Sequence, residues 1–405
     1  MLGNPVSLIP IAEARQLVLD SVRPLSAETV PLTQAIDRVL AEDVRARSNV
    51  PPFACSAMDG YAIQAGESGR RLRVIGESRA GMPTETRLTE GEAIRVSTGA
   101  AIPAGASAVI PQEQTEVDDG TVLTLAHTPE AEHVRGAGED MVEGSVVLDA
   151  GTTLGPIELG AAIAAGAPDV TVARRPLVAV LSTGDELREP GEPLGPGEIH
   201  NSNATMLSGV ATRCGARALE PDHIPDDREQ TVAHIGEALR VADVVVLSGG
   251  VSVGPHDHVK PALAALGVHE RFWGVALQPG KPTWFGVAAG DTLVFGLPGN
   301  PVSAVVTFSL FVAPALAALQ CGHAPRPPHR HARLGIDIRR NPIREQAVRV
   351  SLRAAPDGTL VARPTGAQGS HILSSLLAAD ALAMVPAGEG SLEAGAVVAL
   401  EALVR

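Results

Sequence analysis

Between residues 177 and 320 the chain repeats one local pattern three times: an apolar run, a glycine-containing turn, then a helical stretch. LVAVLSTGDEL (177–187) leads into NATMLSGVATRCGARAL, and DVVVLSGGVSVG (243–254) follows the helical REQTVAHIGEALRVA. DTLVFGLPGNPVSAVVTFSLFVAPALAALQ (291–320) compresses strand, turn and helix into one segment. A strand that is apolar on both faces must be covered on both faces, and crossover helices supply that cover. Residues 176–325 are therefore expected to form a doubly wound parallel α/β sheet.

The flanking segments read differently. Residues 7–24 have helical periodicity (Ile9, Ala12, Leu17, Val18), with Ser7 as a candidate cap. PLTQAIDRVLAEDV reads as a second helix, ended by Pro51 and Pro52 in SNVPPF. From 53 to 150 the pieces are short and β-like, among them RLRVIGES, EAIRVSTG, SAVIPQEQTEV, GTVLTLAH and GSVVLDAG, with closely spaced turns. Residues 156–174 return to a helix and a strand. APRPPHRHA (324–332) is a proline-rich basic linker, and AVRVSLRAA, TLVARPTG, ALAMVPAG and AVVALEALV form a last small β-domain. The expected division is 1–46 with 146–175 as a helical N-terminal and linker domain, 47–145 as a β-rich insert, 176–325 as the sheet domain, and 328–405 as a barrel-like C-terminal domain.

Composition narrows the function classes. The 405-residue chain is long enough for two to four domains. Aromatic residues are only 2%, so its cores must be aliphatic. A formal charge of −14 disfavours nucleic acid and anionic membranes as partners. Cys55, Cys214 and Cys321 have no paired spacing, so neither a disulfide framework nor a cysteine zinc site is indicated. No run reads as long and apolar enough to span a bilayer, and the N-terminus lacks a signal-peptide pattern. A cytoplasmic protein is expected.

Ligands of open α/β sheets bind at the carboxyl ends of the strands. Here those ends are Ser182-Thr183-Gly184 followed by Glu186, Ser248-Gly249-Gly250-Val251-Ser252-Val253-Gly254, and Pro298-Gly299-Asn300-Pro301. Close glycines let backbone N–H groups approach phosphate oxygens, helped by the positive end of the next helix. Each turn alone reads as an ordinary structural turn. Three in one inferred sheet, one of them followed by Asp257 and Lys260, favour a site. None matches a Walker A or G-x-G-x-x-G pattern. Lys260 and Lys281 are the only lysines among 32 basic residues, and compact ammonium groups suit an oxyanion. Glu186 and Asp257 are candidate Mg²⁺ ligands, since magnesium needs few protein oxygens when phosphate and water complete its shell. In HIPDDREQ either Asp226 or Asp227 caps the following helix or serves the site. Asp59-Gly60 in SAMDGYA, Thr98 before Gly99, Arg135, Glu139 and Asp140 in VRGAGEDM, and Ser370, His371 and Ser374 in TGAQGSHILSS are further polar clusters, although Asp-Gly alone reads as a hairpin turn.

In order and spacing, SAMDGYA, STGAAIPAGASAV, RGAGED, STGDEL, SGGVSVGPHDHVK, PGKP, LPGNPVSA and TGAQGSHI closely resemble the molybdopterin molybdenumtransferase family, which includes MoeA and the E domain of gephyrin-like proteins. The resemblance covers nearly the whole chain. It implies insertion of molybdate into adenylylated molybdopterin, with Mg²⁺-assisted release of AMP and formation of molybdenum cofactor. It also implies an elongated four-domain homodimer whose sites each join the sheet domain of one subunit to the β-rich domain of the other. An adenylyltransferase and apo-molybdoenzymes are the implied protein partners. The family's functional positions fall on Asp59, Thr98, Arg135, Asp140, Glu186, Asp226, Asp257, Pro298, Pro301 and Ser370, with the strand-end loops and both lysines binding substrate.

Two departures stand out. RFWGVALQPGKP has Gly274 and Gln278 where some members carry basic residues, and Arg135 is followed by Gly136 where a second arginine is common. Lys260, Lys281 and Arg135 are then expected to carry the anion neutralisation, and Lys281→Met should weaken binding more than loss of a surface arginine such as Arg240. A non-catalytic scaffold is a competing reading, disfavoured by the presence of Asp59, Glu186 and Asp257 together. A molybdopterin adenylyltransferase is another, disfavoured by the segments around Asp59, Thr98 and Ser370, which that activity would not need.

Overall fold

The computed structural model describes residues 8–251, 258–323 and 330–405. The chain divides into two units, one of residues 1–28, 37–41 and 172–405, the other of residues 29–36 and 42–171.

The first unit is built on a mixed sheet. Its elements are α1 (Ile11–Asp20), β1 (Leu177–Thr183), α2 (Ser202–Arg213), β2 (Asp222–Ile224), α3 (Arg228–Val241), β3 (Val244–Ser248), α4 (Val259–Ala265), β4 (His269–Trp273), β5 (Trp284–Val287), β6 (Leu293–Leu297) and α5 (Pro301–Leu319). β1, β3 and β6 run parallel in adjacent register, with Leu181 opposite Leu247 and Leu247 opposite Gly296. The expectation of a parallel sheet holds for this half only. β5 and β4 join antiparallel on the far side of β6, because the short connections between them cannot reverse the chain twice.

Alternate residues of each strand enter two cores. Val178, Val180, Val244, Val246, Leu293 and Phe295 face α1, α2 and α5. Ala179, Leu181, Val245, Leu247 and Val294 face α3 and α4. Period-two alternation of wholly apolar strands thus builds both layers of the doubly wound fold.

Two expectations need correction here. α5 is, by length and a mean hydropathy of 2.2, apolar enough to cross a membrane, contrary to the reading that no run qualifies. Within its most apolar window 89% is buried, as in the core helix of a folded domain. PLTQAIDRVLAEDV does not form a helix. Only Leu32–Gln34 makes a 3₁₀ turn, and Leu40 instead forms an isolated antiparallel bridge with Val172. α1 begins at Ile11 with Pro10 at its N-cap, while the proposed cap Ser7 lies outside the described residues.

The C-terminal strands of the same unit close on themselves. Glu345–Ala354 pairs with both Leu360–Pro364 and Ala381–Val385, and His331–Leu334 and Val397–Glu401 complete a ring of five. Closure leaves no free edge within the ring. Leu277–Gln278 adds beside Glu345–Gln346, so the barrel is anchored on the segment that follows β4. The linker residues 324–329 lie outside the described part of the chain.

The second unit holds a six-stranded sheet. Its order is Ala108–Pro111, Gly60–Ile63, Glu92–Val96, Arg71–Ser78, Thr121–Thr124, Thr115–Asp118. A helix, Pro156–Ala164, follows it in sequence; Glu158 accepts a hydrogen bond from the backbone N–H of Gly155 at its start.

Candidate functional site

The three strand ends of the first unit open on one cavity of about 880 Å³. Ser182, Thr183, Gly184 and Glu186 line it from the end of β1, Ser248, Gly249 and Gly250 from β3, and Gly299, Asn300 and Pro301 from the start of α5. Pro298 is buried just behind that turn. Ser252, Gly254 and Asp257 lie outside the described residues.

Glycine is required at the β3 turn. Gly249 and Gly250 have φ of 94° and 62°, and a Cβ on either would press against Thr183 Oγ1 at 2.9 Å. This crossing of loops is held by Asn203, near the start of α2. Its Nδ2 donates to Ser248 Oγ (2.8 Å) and to the Gly299 carbonyl oxygen (2.7 Å). Asn201 accepts from the backbone N–H of Ala204 and so caps α2. Sequence reading passed over Asn203, although an asparagine in the first turn of a helix that follows a strand end is a usable signal.

Two atoms of the cavity wall are buried without a hydrogen-bond partner: Ser182 Oγ and Asn203 Oδ1. Ser182 is 1% exposed and Asn203 9%. Leaving such groups unpaired costs on the order of 1–3 kcal/mol each, a cost that a polar ligand in the cavity would remove.

The acids separate cleanly. Asp227 caps α3, accepting from the Gln230 N–H at 2.9 Å. Asp226 is left exposed on the cavity wall, its backbone N–H bonded to Asp185 Oδ1 at 3.0 Å. Glu186 is also exposed on that wall, folded back over Gly184, whose carbonyl accepts from His223 Nε2 at 2.8 Å. Among the described residues, no three His, Cys, Asp or Glu side chains gather into a metal cluster. Glu186 and Asp226 supply carboxylate oxygens, the donor type that a hard cation such as Mg²⁺ takes when phosphate and water complete its shell.

The barrel reaches the same cavity. Ser370 Oγ accepts from Asn300 Nδ2 (3.1 Å), and the Ser370 carbonyl oxygen accepts from the Val302 N–H (3.2 Å) in the first turn of α5. His371 and Leu373 line the wall next to it. The loop is held from beneath by Arg349, a buried guanidinium with no carboxylate partner among the described residues. It donates to the Gly369 carbonyl oxygen (3.1 Å) and to Ser375 Oγ (3.2 Å). Burial lowers its pKa to about 10. Arg349 gave no signal in the sequence, where it is one alternate residue of a β-strand.

Neither lysine lines this cavity. Lys260 Nζ stands 3.7 Å from the centre of the Trp273 ring, and Trp273 Nε1 donates to the Val251 carbonyl oxygen (3.0 Å) of the glycine-rich turn. Lys281 is exposed, with its carbonyl oxygen bonded to the Val275 N–H. The two non-basic positions have structural uses. Gly274 has φ of 87°, a conformation that lysine or arginine would adopt only with strain. Gln278 Oε1 accepts from Asn341 Nδ2 (2.7 Å) and ties this segment to the barrel.

The second unit gathers Asp59 and Thr98. Thr98 donates to Asp59 Oδ1 from both its backbone N–H (2.7 Å) and its hydroxyl (3.2 Å). Asp59-Gly60 is not a hairpin turn, because Gly60 starts a strand, where an added Cβ would fall 2.0 Å from the Ile110 carbonyl oxygen. Asp59 lines a separate cavity of about 350 Å³ with Glu77, Arg79, Arg95, Ser97 and Gln112. Arg135 and Asp140 are exposed and outside that lining; the Arg135 backbone pairs with Cys55, and Asp140 donates its N–H to the Val50 carbonyl oxygen (2.9 Å).

Comparison with known proteins converges on one family. Residues 9–166 match the MoeA N-terminal region (domain I and II), 179–318 a probable molybdopterin binding domain, and 331–403 the MoeA C-terminal region (domain IV). A molybdopterin molybdenumtransferase of Haemophilus influenzae is 34% identical over 97% of this chain and 98% of its own length. One of Bacillus subtilis is 35% identical over 96% and 93%. The crystal structure of a molybdopterin biosynthesis MoeA protein from Pyrococcus horikoshii superposes with a TM-score of 0.83 at 32% identity, covering 98% of this chain and 100% of that one. With its mixed sheet, closed barrel and strand-end cavity, the chain belongs to the molybdopterin molybdenumtransferase (MoeA) family, transferases of molybdenum cofactor biosynthesis.

Proposed function

We propose that the chain inserts molybdate into adenylylated molybdopterin, releasing AMP and leaving molybdenum cofactor. The observation that carries this reading is the pair of unpartnered, buried polar atoms, Ser182 Oγ and Asn203 Oδ1, in the wall of a strand-end cavity of about 880 Å³. That volume lies within the range of small-molecule and cofactor sites. The dipole of α5 favours negative charge at its N-terminus, where Asn300 and Pro301 line the cavity. Ser370 fixes Asn300, and so holds that turn in one position.

In this reading the family acids Glu186, Asp226 and Asp257 act on the phosphoanhydride. Glu186 and Asp257 would hold Mg²⁺, which when bound offsets charge on phosphate oxygens. Asp59 and Thr98 act in the same reaction from the β-rich unit of a partner subunit in a cytoplasmic homodimer. The substrate then comes from an adenylyltransferase and the product passes to apo-molybdoenzymes. The test is incubation of purified protein with adenylylated molybdopterin, Mg²⁺ and molybdate. Molybdate-dependent AMP release with gain of active cofactor is expected; intact dimer that binds the substrate but releases no AMP would contradict it.

A further inference from the structure

The smaller cavity of the second unit is a row of polar side chains laid one step beyond an apolar core. On the central strands Tyr61 lies opposite both Ile110 and Arg95, and Arg95 lies opposite Glu77. Tyr61, Ile63, Ala93 and Ile110 form the buried core of this face. Two residues further along the respective strands come Asp59, Ser97 and Gln112, which line the cavity with Glu77, Arg79 and Arg95. Period-two alternation therefore places one polar residue from each of four neighbouring strands at one end of the sheet.

The hydrogen-bonding inventory of that row is incomplete in a specific way. Glu77 and Arg79 are paired with each other. Asp59 Oδ1 is occupied by the two Thr98 donors. Among the described residues, the Arg95 guanidinium, the Gln112 side-chain amide and Asp59 Oδ2 have no hydrogen bond. The free groups are thus a carboxylate oxygen that accepts, a guanidinium that donates, and an amide that does both. The four ionised side chains, Asp59, Glu77, Arg79 and Arg95, sum to zero charge, which is poorly matched to a dianion such as molybdate. A neutral heterocycle with N–H donors on one side and a carbonyl on the other is the matching ligand. A volume of about 350 Å³ is at the small end of ligand sites and suits a fused ring system.

We infer that this cavity binds the 2-amino-4-oxopyrimidine edge of the pterin, with Asp59 Oδ2 accepting from its 2-amino group and Arg95 and Gln112 meeting the C4 carbonyl side. The inference rests on the proposed function, since it assigns the pterin of that substrate to Asp59. Arg95 becomes a binding residue, and Asp59 gains a role in ring selection. Guanine carries the same edge; the pterin is assigned because the chain belongs to the molybdopterin molybdenumtransferase family.

The test uses the intact protein and three probes followed by fluorescence or calorimetric titration: pterin, lumazine (which has a C2 carbonyl in place of the amino group), and guanosine. Pterin is expected to bind about 10- to 100-fold tighter than lumazine, the value of a charge-assisted hydrogen bond lost at Asp59. Asp59→Asn should collapse that ratio towards one. Arg95→Gln should weaken pterin and lumazine together and keep their ratio; Gln112→Ala gives a second, milder reading of the same side. Equal binding of pterin and lumazine, an unchanged ratio in Asp59→Asn, or guanosine tighter than pterin would each overturn the inference. AMP release by the unsubstituted protein, measured in parallel, separates the outcomes. If it occurs without pterin selectivity, only this inference fails; if it is absent, the proposed function itself fails.

Discussion

Asn203 donates through one amide nitrogen to Ser248 Oγ at 2.8 Å and to the Gly299 carbonyl oxygen at 2.7 Å, so a single side chain of α2 locks the ends of β3 and β6 together. Its Oδ1 is the buried atom left over for a ligand. Asn203→Ala should lose about 1–3 kcal/mol of stability, measured by urea unfolding, because the bond to Ser248 is buried where water does not replace it. Asn203→Asp keeps the shape but removes the Nδ2 donors, and should weaken substrate binding as much as the alanine variant does. A substrate affinity unchanged in both variants would disconnect this residue from the site.

Asp226 and Asp227 make a paired prediction, since adjacent carboxylates have separate tasks. Asp227→Ala removes the α3 cap and should lower stability by about 1 kcal/mol with little change in turnover. Asp226→Asn should leave the melting temperature in place and reduce AMP release. The reverse pattern, stability lost at Asp226 and activity lost at Asp227, would contradict the assignment.

Gly60→Ala tests how Asp59 is positioned. Any Cβ at Gly60 lands on the Ile110 carbonyl oxygen, an atom of the backbone that cannot step aside as a side chain can. We expect a loss of about 3 kcal/mol or so in denaturant unfolding, at the upper end of overpacking costs. Gly76, where a Cβ would meet nothing within 4 Å, is the control, and Gly76→Ala should be nearly neutral on that count.

Glu345 provides a pH prediction. Burial first, then the charge of Glu401, pushes its carboxyl above the ordinary value of 4.5, while Arg15 pulls it down. A folded pKa above the unfolded one means that the folded state holds its proton longer. Stability from this group is complete below about pH 4.5 and falls as pH rises through the folded value. Glu345→Gln should therefore melt higher than the parent at pH 7 to 8 and match it at pH 4. A gain of the same size at both pH values would exclude ionisation as the cause.

The sheet domain was readable in the sequence because its strands are apolar at nearly every position and stop at glycine or proline turns. β1, β3, β6 and α3 fall inside the segments that pattern marks, and α2 starts one residue ahead of its segment. PLTQAIDRVLAEDV misled because its apolar spacing fits a helix, yet Leu40 is used in a bridge to Val172. The strand-end residues Ser182, Gly249 and Asn300 were visible for the same reason as the strands. Arg79, Arg95 and Arg349 were not, because an arginine at an alternate strand position looks like solvent-facing charge until the sheet shows what lies next to it. Lys260 was legible as an unusual residue. Its stacking on Trp273 was not, since α4 and β4 bring them together only in the fold.

We propose the strand-end cavity as the place where adenylylated molybdopterin gives up AMP in exchange for molybdate. The direct measurement is AMP release by the intact protein with and without molybdate, compared with a variant of the cavity wall, Glu186→Gln. Release should require molybdate and fall at least about tenfold in the variant, as expected when a charged group that acts on the reacting phosphates is neutralised. Release that is independent of molybdate, or unchanged by Glu186→Gln, would contradict it.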